Sequence, residues 1–195
     1  MNSLLEQNLF FIKEHVGLFK AANNFDIYNP ETQELIMTCR EDNLGFFTKM
    51  FRFSDYKRMT PFNIEIKTVK GDKILTVKRG VTFFKSVVEV FDENDLLIGT
   101  FKQRLFSIGG KFDIFDSSDN EICTLKGKWT SWEFSFEKDG ITYASVHKKW
   151  SGLGKELFTT ADNYMLEIES LTSKNSILRL LILASVMCID MVLKE

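Results

Sequence analysis

At 195 residues and a formal net charge of −2, the chain has the size of one ordinary domain and lacks the basic field of a nucleic-acid protein. Apolar residues make up 44% of it, with 19 Phe, which is enough to bury a core and excludes a disordered chain. Its three cysteines, Cys39, Cys123 and Cys188, are far apart and without C-x-x-C spacing, so they read as reduced thiols of a cytoplasmic protein rather than as disulfides or a zinc site.

The N-terminal segment does not read as a secretory signal, because Met1–Gln7 carries no positive charge and Lys13-Glu14 interrupts the apolar run Leu9–Ile12. Only Pro30 and Pro61 punctuate the chain, so turns must be read from Asn, Asp and Gly. Between them one phrase recurs: an alternating strand, a polar turn, a second alternating strand. It begins at Phe25-Asp-Ile-Tyr and again at Ile64-Glu-Ile, then at Val88-Glu-Val-Phe-Asp, Phe112-Asp-Ile-Phe-Asp and Phe134-Ser-Phe-Glu-Lys. The last three starts are 24 and 22 residues apart, the length of two strands and two turns. Tyr164-Met-Leu-Glu-Ile adds another strand. Successive antiparallel strands with one apolar face predict a meander that closes on itself, since closure removes exposed edges. The expected fold is mainly β, a closed antiparallel barrel of about twelve strands, with residues 1–195 as a single domain.

From Ile177 to Leu193 the pattern changes to a segment apolar on every side and free of Gly and Pro. Thr172, Ser173 and Asn175 offer N-caps, which predicts a helix over about 176–193. A helix apolar all round is buried in a core or spans a bilayer. The uncharged stretch Leu180–Ile189 has ten residues where a span needs ~20, and Arg179 and Asp190 flank it. Burial inside the barrel, rather than a C-terminal membrane anchor, is expected.

No G-x-S-x-G, phosphate loop or dinucleotide fingerprint occurs, and Gly109-Gly110 reads as a turn. His15 and His147 are far apart in sequence and read as surface or packed residues. Neither an enzyme nor a metal centre is expected. The basic residues are more informative. Lys78-Arg79, Lys102 with Arg104, Lys126 with Lys128, and Lys148-Lys149 follow the second strand of successive hairpins at spacings of 24, 24 and 22. Equivalent positions of a repeat occupy equivalent places in a meander, so these residues are candidates to gather at one end or side of the barrel. Phe83-Phe84, Trp129 with Trp132, and Trp150 stand close to three of the four pairs. Cations beside aromatics suit a membrane interface, so the eight basic residues and Trp150 form the candidate lipid-binding set.

Asn23-Asn-Phe-Asp-Ile-Tyr-Asn near the start, the stretch Val146–Tyr164 and the helix segment Ala184–Asp190 together resemble the phospholipid scramblases, a family of the wider tubby-like group that also includes LURP-one-related proteins. Asn23-Asn-Phe-Asp-Ile-Tyr-Asn is similar to the family's opening strand, and Ala22–Glu41 and Phe112-Asp-Ile-Phe-Asp resemble two further stretches. Val146-His-Lys-Lys-Trp-Ser-Gly-Leu-Gly-Lys-Glu-Leu-Phe-Thr-Thr-Ala-Asp-Asn-Tyr is similar to the signature I-S-K-x-W-x-G…E-x-F-T-D-A-D-x-F, and Ala184-Ser-Val-Met-Cys-Ile-Asp to the closing helix. The resemblance covers roughly residues 9–195. It implies a barrel threaded by a C-terminal helix and a non-enzymatic role in moving or binding phospholipids, anionic ones in particular, by a cytoplasmic protein peripheral to the plasma membrane. The other function it allows is a tubby-like phosphoinositide- or protein-binding module. Calcium does not carry over cleanly. The family's calcium segment would run from Thr160 to Leu171, where both end positions have lost their acid and Met165 replaces the loop glycine. Tyr164, Leu166 and Ile168 are expected instead to be the inward side of a strand. The cysteine cluster and Pro-rich tail of the animal members are missing, so palmitoyl anchoring does not carry over either.

Overall fold

The computed structural model describes residues 3–15, 22–41, 45, 48, 50, 59–104, 110–128, 131–148, 163–174 and 176–193. The alternating segments form twelve strands: β1 Leu9–Glu14, β2 Phe25–Tyr28, β3 Leu35–Arg40, β4 Phe62–Thr68, β5 Lys73–Arg79, β6 Val87–Asp92, β7 Leu97–Gln103, β8 Lys111–Asp116, β9 Glu121–Lys128, β10 Glu133–Lys138, β11 Ile141–His147 and β12 Asn163–Ile168. Each pairs antiparallel with its sequence neighbours, and β1 pairs with β12 to close the barrel. The meander expected from the repeat is therefore complete, with no free edge.

The hairpins share one local design. Asn29, Asp92 and Asp116 each accept two backbone N–H groups of the turn that follows on a side-chain oxygen, and Thr68 does the same through its hydroxyl. Four of these hairpins reach positive φ at Gln33, Gly71, Asp95 and Asp119, and a fifth, between β10 and β11, does so at Asp139 and Gly140. Each returns through a register shift, as between Val90 and Phe91 and between Ile114 and Phe115. A turn followed by a left-handed residue and a bulge imposes the strong twist that a narrow barrel needs.

Strand β1 was not foreseen as a strand. Phe11 breaks the alternation of Leu9–Glu14 because its ring lies 6.1 Å from that of Tyr28, and the pair covers itself on the outer wall. The Glu41 carboxylate shows what the Ala22–Glu41 stretch does. It accepts the backbone N–H and side-chain amide of Asn23 at 3.0 Å and the N–H of Asn63 at 3.4 Å, bridging β2 to β4.

Helix α1, Ile177–Cys188, continues as a wider π-helical turn over Ile189–Leu193. Every residue from Arg179 to Met191 is buried. The helix thus fills the lumen, where it meets inward side chains such as Phe101, Phe112 and Ile114. A twelve-stranded barrel is too wide for strand side chains alone to fill, so an apolar helix is the economical core. Gly99 marks close contact: a Cβ there would come within 2.9 Å of Leu181 and 2.5 Å of the Phe115 carbonyl. The N-cap is Ser176, without a side-chain cap bond, rather than Thr172, whose hydroxyl donates to the Tyr143 carbonyl at 3.0 Å. No helix among the described residues is long and apolar enough to cross a membrane.

Arg179 ties the helix to the barrel. It is 1% exposed, and its guanidinium donates to the carbonyls of Leu5 (2.9 Å), Gln7 and Thr172 (3.3 Å) and to Asn8 Oδ1 (3.2 Å). Burial pulls its pKa below the usual guanidinium value, with Glu6 acting the other way. At the helix's far end the Tyr164 hydroxyl donates to the Asp190 carboxylate. Replacing Arg179 with Ala leaves several buried carbonyls unpaired, so urea unfolding should show a loss of about 3 kcal/mol or more, and a chain ended at Leu171 should show no cooperative transition. A change in Arg179→Ala within about 0.5 kcal/mol of the parent would refute the anchoring role.

Candidate functional site

The barrel has two chemically different ends. At one, short turns join β2–β3, β4–β5, β6–β7, β8–β9 and β10–β11, and turn capping demands Asp and Asn there. That end carries Glu31, Glu34, Asp72, Asp92, Glu93, Asp95, Asp116, Asp119 and Asp139. Asp116 stays charged well below the usual carboxylate range, first because the Asn120 backbone N–H bonds to it. Lys73 at this end is spent on Asp95, 2.6 Å away.

Strands β5, β7, β9 and β11 run in the same direction, so they end together at the opposite, long-loop end. The repeat-phased basic residues therefore occupy equivalent places in the long-loop half of adjacent hairpins. Their side chains do not all do the same thing. Lys78 lies over the Phe91 ring at 4.8 Å and Lys102 over the Phe115 ring at 4.1 Å, the same contact one repeat apart. Phe91 and Phe115 are register partners of Thr76 and Thr100, so both lysines lean back along the wall. Lys102 also reaches Asp119 at 2.5 Å. In the next copy the ring position is Glu137, which pairs with Lys126. Arg104 Nε donates to Asp113 at 2.5 Å, Lys128 is exposed, and Lys148 lies 4.5 Å over the Trp132 ring.

Arg79 departs from the expected set. It is 4% exposed, because in a strand with Val77 inward and Lys78 outward the next residue must turn inward again. Its Nη2 donates to the Thr60 carbonyl at 2.6 Å and its Nη1 to Ser86 Oγ at 3.4 Å, while its guanidinium lies 4.8 Å over Phe62. It is a strut under the long-loop end rather than a surface cation. Lys149, Trp150 and Trp129 lie outside the described residues.

Two features of this end escaped the sequence reading. The first is Lys85, exposed in the β5–β6 loop beside Phe83 and Phe84. The second is an open groove of about 540 Å³ on the outer wall of β8–β11, bordered by Lys111, Lys126, Lys128, His147 and one carboxylate, Glu133. Its floor is low because the small side chains Ser135 and Ser145 alternate outward with inward Phe134, Phe136, Ala144 and Val146, whereas Gly127 faces inward, where a Cβ would lie 2.5 Å from the Phe134 ring.

The other reactive groups are structural. His15 Nε2 lies 2.7 Å from Asp26, which also takes Arg40 at 2.6 Å. Burial alone would raise the pKa of Asp26, but its bonds to Arg40 and His15 outweigh this and hold it low. All three cysteines are free and buried, and burial pushes Cys123 up to about 12 and the other two upward as well. Among the described residues, no group of three or more His, Cys, Asp or Glu is placed to hold a metal.

Comparison with known proteins follows the same line. A family model described as Scramblase matches residues 2–195. The chain is 22% identical over 192 residues to the Saccharomyces cerevisiae protein named altered inheritance rate of mitochondria protein 25, covering 86% of this chain and 58% of that one. It is 21% identical over 182 residues to a phospholipid scramblase family protein of Schizosaccharomyces pombe, covering 88% of this chain and 47% of the relative. The chain thus spans about half the length of the curated relatives it matches. No solved structure matches.

Within the Thr160–Leu171 segment, residues 163–168 are strand β12, bonded to β1 on one side and β11 on the other, with Tyr164, Leu166 and Ile168 buried as expected. A backbone extended and paired on both edges cannot wrap a cation as a calcium loop does. Calorimetric titration with calcium should accordingly show no site tighter than millimolar, and a micromolar site removed by Asp162→Ala would overturn this.

Proposed function

Because the chain belongs to the Scramblase family, we propose that it acts on membrane phospholipids without a chemical step, binding them or moving them between leaflets, with the long-loop end of its barrel turned toward an anionic membrane surface. The observation that carries the orientation is the segregation of charge along the barrel axis. The turn end bears a ring of carboxylates, which an anionic leaflet repels. The long-loop end gathers Lys85, Arg104, Lys111, Lys126, Lys128 and Lys148, and each cation near such a surface contributes ~1 kcal/mol. Ion pairing of Arg104 and Lys126 reduces their share but does not reverse the contrast between the ends.

The three buried, unpaired thiols accord with a reducing compartment, and so with binding from the cytoplasmic face. The lumen is filled by α1, so lipid contact is assigned to the outer wall and rim, where the groove beside Lys111, Lys126, Lys128 and His147 offers space for a headgroup.

Flotation with phosphatidylcholine vesicles, with and without phosphatidylserine, tests the orientation. Lys126→Gln with Lys128→Gln should lower binding to the anionic vesicles by more than about 1 kcal/mol, with the loss shrinking as salt is added. Lys70→Gln with Lys174→Gln, at the turn end, should do much less. Equal losses from both pairs would mean that only net charge matters, and would sink the orientation. A dithionite assay on reconstituted vesicles then separates lipid movement from binding alone.

A further inference from the structure

We propose that the tip of the β5–β6 loop, Phe83 and Phe84, inserts into the interfacial layer of an anionic phospholipid bilayer, an inference that rests on the lipid-binding reading above. The two rings are 70% and 88% exposed, and Val81 and Val87 beside them are 63% and 42% exposed. Adjacent phenylalanines held in water at those levels are unfavourable unless something apolar covers them.

Hydrogen bonds hold the backbone of the loop that carries the two rings. Its base is pinned from both sides. Ser86 N donates to Gln103 Oε1 at 3.2 Å, and Gln103 N donates to the Ser86 carbonyl at 2.9 Å. Arg79 bonds Ser86 and the Thr60 carbonyl from beneath, and Thr82 N donates to the Met59 carbonyl at 3.2 Å. The tip itself is closed by Thr82 Oγ1 donating to the Lys85 carbonyl at 2.8 Å. The rings are thus presented on a rigid mount.

Charge selects the occupant. Lys85 stands exposed directly beside the rings, Arg79 lies buried beneath the loop and Lys78 leans back over Phe91, and the first carboxylate on either side, Glu89, lies five residues beyond Phe84. An apolar tip with an exposed cation beside it and no carboxylate in the loop matches a bilayer whose hydrocarbon edge lies beneath anionic headgroups. The turn end also exposes apolar residues, Leu96 at 63% and Val69 at 55%, but Leu96 sits among Asp92, Glu93 and Asp95, which the same surface would repel.

The native cysteines are all buried, so a thiol-reactive environment-sensitive dye will label an introduced cysteine selectively. Phe84→Cys and Leu96→Cys, each labelled in the full chain, are mixed with phosphatidylcholine vesicles containing phosphatidylserine, and flotation is measured in parallel. Insertion predicts a blue shift at position 84, quenched by lipids spin-labelled near the headgroup, and no shift at position 96. Phe83→Ser with Phe84→Ser should weaken vesicle affinity about tenfold or more. If the protein floats while the probe at 84 stays in water, the tip does not insert, although lipid binding stands. A shift at 96 instead of 84 overturns both the tip and the orientation, and failure to float overturns the tip together with the lipid-binding reading.

Discussion

The buried guanidinium of Arg179 is the point on which the molecule closes. It gathers carbonyls from the first residues of the chain, Leu5 and Gln7, and from Thr172, which leads into the last helix. A charge this deep is tolerated only because several oxygens solvate it together. Those oxygens are correctly placed only when β1 has paired with β12 and α1 has entered the lumen. Barrel closure, core filling and the docking of both chain ends are therefore one event. The apolar residues of α1 supply the driving force, and Arg179 fixes how far the helix enters.

The repeated hairpin sets the polarity of the surface through turn chemistry. Four of the five tight turns are capped by a side-chain oxygen at their start and all five carry a left-handed residue, and Asp serves both needs at Asp92, Asp95, Asp116 and Asp119. Repeating that turn contributes Asp92, Asp95, Asp116 and Asp119 to the carboxylate ring at one end, while Asn29 and Thr68 fill the capping place without charge. The opposite end is joined by longer connections, where strand-end lysines meet no such ring. The charge contrast used to orient the barrel thus follows from the same local rule that makes the hairpins.

Most of the fold was legible because its signals are local. Period-two alternation marked eleven of the twelve strands, the repeat spacing implied a meander, and the all-round apolarity of Ile177–Leu193 implied a core helix. Strand β1 was hidden because Phe11 is covered on the outer wall by Tyr28, which a window over Leu9–Glu14 does not contain. The candidate surface was legible only in part. The phasing of Lys78, Lys102, Lys126 and Lys148 follows from the repeat, but whether a lysine leans back over an aromatic ring or stands at the rim depends on the neighbouring strand. The inward turn of Arg79 was available from alternation, since neighbours in a strand cannot both face solvent. The groove was not available at all, since Gly110, Gly127, Ser135 and Ser145 are brought together only by the register of β8 to β11.

Arg79 links the interior to the surface proposed to meet lipid. Burial raises the pKa of the Cys188 thiol in α1, and the positive charge of Arg79 acts against that rise. The same guanidinium holds Thr60, two residues ahead of β4, through its carbonyl, and the base of the β5–β6 loop, through Ser86. A plugged barrel has no axial route for a headgroup, so the lipid contact proposed above falls to its outer surface. The rigidity of that surface then becomes the useful property. Arg79, itself buried, bonds the base of the loop that presents Phe83 and Phe84. The tip proposed to meet lipid therefore stands on a base bonded to a buried guanidinium rather than on surface contacts alone.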